Sequence, residues 1–239
     1  MNEVRFLTEV GLEREGGRGT GVFRGGRLGK PRGFPVVRVQ VYQLGISDFS
    51  VSLRSMKTYA VLLRGINVGG KNKVSMATLK ECLEESGFSD VSTYIASGNI
   101  ILKSDKSAAS IKAQIEKMLP RKFKLDSDLV KVLVLSRNEL QSVIGNKPKG
   151  FGEQVKKYHS DAIFLIDITA VRAMPAFSPR SGVDKVWPGK GVIYSQRLSS
   201  MRTKSRLNRI MGTPVYRSMT IRNWNTTTKL LELMGAKSQ

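Results

Sequence analysis

Cysteine and histidine are almost missing from these 239 residues: there is one of each, Cys82 and His159. A lone cysteine excludes an internal disulfide framework. One cysteine and one histidine also leave too few ligands for a protein-ligated zinc site, so neither metal nor cofactor is expected. No apolar run reaches the roughly 18 residues a membrane helix needs, and the opening residues lack the continuous apolar segment of a secretory signal. The expectation is a soluble cytoplasmic protein without a membrane partner. Acids are scarce as well. Nineteen Asp and Glu face forty Lys and Arg, a formal net charge of +21. That excess favours anionic partners, from a phosphate-bearing small molecule to nucleic acid, without choosing among them.

Residues 1–55 differ from the rest. Residues 11–33 are dense in Gly and Arg and carry almost no apolar periodicity, a composition that cannot bury enough surface to order itself. Residues 36–44 alternate and suit a strand. Met56 stands directly before the first strong strand. The segment reads as a disordered extension or a misassigned start, with a basic nucleic-acid arm as the functional alternative.

From Lys57 the pattern sharpens. Residues 59–63 are a continuous apolar run, as in a central strand. Ser75 is a good N-cap for a helix through Met76, Leu79 and Leu83 that stops at Gly87. Short strands at 91–96 and 99–102 flank Ser97-Gly98. A second helix, capped by Asp105 or Ser107, carries Ile111, Ile115, Met118 and Leu119 and is expected to end at Pro120. Residues 128–135 form a further strand. The order β-α-β-β-α-β predicts an α+β fold whose N-terminal domain, 56–136, is a ferredoxin-like split βαβ unit. The other face of its sheet must meet a second domain or a partner. Residues 137–239 read as a smaller α+β subdomain. They contain a helix at 137–144, strands at 162–166 and 215–219, a hairpin around 188–191, a basic helix at 199–211 and a final helix capped by Asn223.

The apolar strand at 59–63 opens into Arg64-Gly65-Ile66-Asn67-Val68-Gly69-Gly70-Lys71, a glycine-rich basic loop before a helix and a plausible anion cradle. It has neither the Walker spacing nor the dinucleotide fingerprint. Arg64, Asn67, Gly69, Gly70 and Lys71, with Asn99, Arg222, Asn223 and Asn225 from elsewhere, are ligand-binding candidates for an anion held between the two halves. The alternative is that the glycines only make the turn and Arg64 pairs across the domain. His159 and Asp161, near Tyr158, could act as a general base with its orienting acid, and a solvated strand end would look the same. Whether the protein is an enzyme stays open. Residues 180–222 hold ten Lys or Arg and one acid, Asp184, with Trp187, Tyr194, Tyr216 and Trp224 interleaved or adjacent. Arg202, Lys204, Arg206, Arg209 and Arg217 are the nucleic-acid candidates, against a solvated basic face and core tryptophans.

Together, residues 59–70, Met76, Leu79, Gly87-Phe88, Thr93-Tyr94, Ser97-Gly98-Asn99 and Arg222-Asn223-Trp224-Asn225-Thr226 resemble the DUF1697 family over about residues 57–234. The resemblance implies a bacterial protein of α+β architecture with a ferredoxin-like half. It brings no catalytic residues with it and leaves residues 1–55 outside.

Overall fold

A first strand that is apolar on both sides sets the layering. β1 (Lys57–Arg64) buries Tyr59, Val61 and Leu63 in one core and Ala60 and Leu62 in another. Alternation along a strand sends these two sets to opposite faces, so β1 has to be covered twice. The computed structural model describes residues 55–125 and 130–235. All of them lie in one compact unit beginning at Ser55. The Gly/Arg-rich segment and the strand expected at 36–44 lie outside the described residues, as does the expected strand start at Asp128.

β1 pairs antiparallel with β3 (Asn99–Ser104) and β4 (Lys131–Ser136), and β3 pairs with β2 (Ser89–Tyr94). The order across this sheet is β2-β3-β1-β4. One face carries α1 (Met76–Glu85) and α2 (Ala108–Lys122), which bury Leu79, Cys82, Leu83, Ile111, Ile115, Met118 and Leu119 against it. Local chemistry explains the ends of α1. Ser75 Oγ accepts from Thr78 N at 3.3 Å. At the other end Gly87, at φ +86°, lets Phe88 N reach Leu83 O and Gly87 N reach Glu84 O, the paired bonds of a Schellman stop. Ser107, rather than Asp105, caps α2. Pro120 does not end α2, which runs on to Lys122. So close to the C-terminal end, the missing N–H forfeits one bond without breaking a long run.

β4 runs directly into α3 (Arg137–Gly145) through a reciprocal capping box between Ser136 and Glu139. α3 and the final helix α5 (Trp224–Gly235) cover the second face of the first sheet, with Leu140, Val143, Trp224, Leu230 and Met234 in the shared core. The surface that needed a partner is therefore covered by the same chain. The far side of this core is a second antiparallel sheet, ordered β6-β7-β5-β8, made of β5 (Tyr158–Leu165), β6 (Asp184–Gly189), β7 (Val192–Leu198) and β8 (Met219–Asn223). Its inner face gives Ala162, Phe164, Val192 and Tyr194 to the middle core. Phe151 meets Trp224 edge-on at 5.0 Å and Tyr194 at 5.2 Å, and Tyr194 Oη donates to Val143 O at 2.7 Å. Gly152 lies so close that a Cβ would stand 2.2 Å from the Trp224 ring.

The outer face of the second sheet packs Ile163, Leu165, Ile193 and Met219 beneath α4 (Ala170–Ala173) and a chain of 3-10 turns. Here two expectations are corrected. Residues 199–211 are not one basic helix but 3-10 turns at Ser199–Lys204 and Leu207–Gly212, with a kink at Met201. Residues 215–218 belong to a third turn, Pro214–Ser218, and the strand starts only at Met219. Only Leu207 and Ile210 are buried in this stretch, too few apolar positions to bury one face of a continuous α-helix.

Candidate functional site

Arg222 stands on β8 opposite Ala162, so its side chain enters the inner side of the second sheet. It is 6 % exposed. Its Nε donates to Asn99 Oδ1, Nη1 to Thr220 Oγ1 (2.8 Å) and Ile221 O (2.9 Å), and Nη2 to Leu63 O (2.8 Å), Ser97 O (2.9 Å) and Gly98 O (3.3 Å). No carboxylate pairs with it among the described residues. Burial pushes the guanidinium down to about 10, which leaves it charged at neutral pH. Arg64 answers from the other side. Its Nε donates to Met219 O at 3.0 Å, and its guanidinium lies 5.2 Å from the centre of the Tyr216 ring. Burial, assisted by nearby Arg217, lowers it too, although Tyr216 opposes the shift. The two arginines thus cross between β1 and β8 and hold the sheets together.

The hairpin that supplies these carbonyls is built for close approach. Gly98, at φ +76°, leaves no room for a side chain: a Cβ would meet Leu63 and Ile66 at 2.8 Å. Ile95 takes φ +50°, an unfavourable angle for a β-branched residue. Asn67 ties the loop at 65–74 to this hairpin, giving Nδ2 to Ala96 O (2.8 Å) and Val74 O (3.0 Å) and taking Val74 N on Oδ1. Asn72 Nδ2 closes the loop on Gly65 O at 2.8 Å. Gly69, Gly70 and Lys71 form the exposed tip. Asn99 faces Arg222, Asn223 Oδ1 accepts from Asn225 N at 3.0 Å as helix cap, and Asn225 is exposed.

His159 and Asp161 project from the opposite, outer face of the second sheet, so the structure does not bring them to Arg222. His159 Nε2 lies 3.1 Å from Asp161 Oδ1, with the imidazole 40 % and the carboxylate 15 % exposed. Burial raises the Asp161 carboxyl, and His159, Arg197 and Asn223 pull it back only in part. Register sets Arg197 of β7 opposite His159 and Asp184 of β6 opposite Arg197, one row across three strands. Sequence reasoning did not single out Arg197 or assign Asp184 a role. Each strand's alternation was legible, but the register that aligns them was not.

The cations Arg202, Lys204, Arg206, Arg209 and Arg217 are all exposed along the 3-10 turns. None makes an ion pair among the described residues, whereas Lys103, Lys112, Lys122, Lys147 and Lys229 each have a carboxylate partner. Tyr194 and Trp224 are core residues and offer no stacking surface, while Trp187 and Tyr216 are half-buried.

A family model described as "Protein of unknown function (DUF1697)" matches residues 56–194. A solved structure described as that of the conserved bacterial protein SP0830 from Streptococcus pneumoniae is similar at 28 % identity and a TM-score of 0.64. The likeness covers 75 % of this chain and 99 % of that one. No curated protein matches.

Replacing Arg222 with Lys keeps a charge but loses the planar fork, leaving buried carbonyls unpaired. The expected loss is about 3 kcal/mol in urea denaturation. An unchanged midpoint would remove Arg222 from this role. Asp161 gives a pH signature. Its folded carboxyl is raised above the ordinary 3.8, so between that value and the folded value the native state holds the extra proton. Stability should therefore fall as pH rises through that window, and Asp161→Asn should abolish this fall. Parallel pH profiles for the wild type and the variant would contradict it.

Proposed function

The chain belongs to the DUF1697 family, and from that premise and the exposed cations of its second half we propose that it binds a phosphate-bearing ligand in the cytoplasm. We further propose that residues 56–136 form a ferredoxin-like split βαβ domain and 137–239 a smaller α+β subdomain. The strand order β2-β3-β1-β4, with every neighbouring pair antiparallel, supports the first assignment.

The observation that carries the binding reading is the unneutralised strip of Arg202, Lys204, Arg206, Arg209 and Arg217. Backbone geometry gives it a rigid base, because Leu207 and Ile210 are buried and Arg206 N donates to Asp184 Oδ2 at 2.8 Å. Through Arg217 the strip reaches Arg64 at the junction of the halves. Exposed Lys71, on the Gly69-Gly70 tip, adds a cation on the first half. Arg222, Asn99 and Asn67 support the junction through their internal hydrogen bonds. A run of fixed cations suits the phosphates of a nucleic-acid strand better than one small anion. A second reading, small-molecule enzyme chemistry with His159 as general base, draws on the 3.1 Å contact to Asp161.

Binding to single-stranded oligonucleotides should weaken with salt, and each of Arg202→Gln and Arg209→Gln should reduce the slope of log K against log salt by roughly 0.7 to 1. Wild-type slopes in both variants would count against the strip. For the second reading, any turnover of p-nitrophenyl phosphate or its diester should disappear in His159→Ala. Equal rates in both proteins would rule out His159 as the base.

A further inference from the structure

The layer of short turns over the outer face of the second sheet carries charge of one sign only. Residues 168–183 and 199–218 contain no Asp or Glu, and Arg172 and Arg180 add two exposed cations to the strip already described. Asp184, the one acid of the basic stretch, accepts the backbone N–H groups of Arg180 (3.0 Å) and Arg206 (2.8 Å) on Oδ2. It forms no ion pair among the described residues. Local geometry orders part of the strip. Arg209 N donates to Arg206 O at 3.0 Å, closing a 3-10 turn whose buried residues are Leu207 and Ile210. Side chains three apart eclipse in such a turn, so Arg206 and Arg209 share one side, about 6 Å apart along it.

What this layer lacks selects the ligand. No aromatic side chain is exposed among the described residues. The half-buried rings nearby are engaged: Phe177 packs on the outer core, Tyr216 lies against the Arg64 guanidinium, and Trp187 meets Phe151 edge-on at 6.0 Å. A single strand gains much of its affinity by stacking bases on exposed rings, and none is offered here. A membrane-surface anchor needs an amphipathic helix with a bulky apolar face, whereas α4 has only four residues. A duplex needs neither feature. Its bases stack on one another, and its phosphates form a dense outer row of negative charge.

Resting on the phosphate-binding reading above, we infer that the ligand is a nucleic-acid duplex, held through its phosphates along the acid-free layer, with Arg206 and Arg209 side by side on one strand. Recognition is then by charge and shape, without readout of the bases.

The test compares mixed-sequence duplex DNA and duplex RNA with an oligothymidylate carrying the same number of phosphates, by fluorescence anisotropy at one moderate salt concentration. At least one duplex should bind about tenfold more tightly than the single strand, the factor that one stacked base would otherwise return to it. Arg206→Gln keeps the backbone bond to Asp184 and should lower the duplex slope of log K against log salt by about 0.9. Lys117→Gln, an equal loss of charge at an exposed position of α2, should leave that slope unchanged. The wild-type comparison needs neither variant. A single strand that binds as tightly overturns the duplex and leaves the phosphate reading in place. Equal slopes in the two variants overturn this layer as the duplex site. Binding to vesicles of phosphatidylglycerol and phosphatidylcholine, with no duplex bound, overturns it in favour of a lipid surface. No binding of any of these probes overturns the phosphate reading as well.

Discussion

A buried guanidinium that pairs with no carboxylate among the described residues is the contact on which the rest of this fold depends. Arg222 is held by neutral acceptors drawn from β1, from the hairpin before β3 and from its own strand. Only a planar group with five donors can serve so many directions at once. The arrangement in turn constrains its surroundings. Gly98 has no space for a Cβ, Ile95 is held at positive φ, and Asn67 anchors the neighbouring loop to the same hairpin. The glycine-rich loop that looks like an anion cradle in one dimension is thus tied into a junction between two sheets.

That closure has consequences for where a ligand can be recognised. The arginine fork at the junction is already engaged, and the middle core is filled by Phe151, Tyr194 and Trp224. The outer side of the second sheet is different. There one acid, Asp184, is used as a backbone pin rather than as a counter-charge for the arginines around it. The cations of the 3-10 turns consequently keep their field. An acid-poor sequence and a structurally employed aspartate lead to the same result, a positive surface on a rigid support.

Much of the first half was legible before folding. Helical spacing in 76–83 and 108–119, the cap at Ser75 and the Gly87 stop each have a local cause and appear where expected, and of the two caps left open for α2, Asp105 and Ser107, the structure uses Ser107. The stretch at 199–211 was not legible, because Leu207 and Ile210 fit one turn of an α-helix and a 3-10 turn equally well. The aromatics of the second half misled for a related reason. Tyr194 and Trp224 sit close to cations in sequence, yet a strand and a helix direct them into the core. Pro120 shows that a residue that breaks helices in mid-run is tolerated near an end.

By itself the sequence determined the α+β class, the excess of positive charge, the caps and stops, and a first strand apolar on both faces. These rest on residue types and short-range periodicity, which act locally. The tertiary structure alone decided that Arg222 and Arg64 cross between the sheets, that His159 faces away from them, and that Asp184, Arg197 and His159 share one row. Those placements follow from strand register and from the packing of residues more than a hundred positions apart. A one-residue slip would send a strand's side chains to the other face, and nothing in the local sequence records that choice.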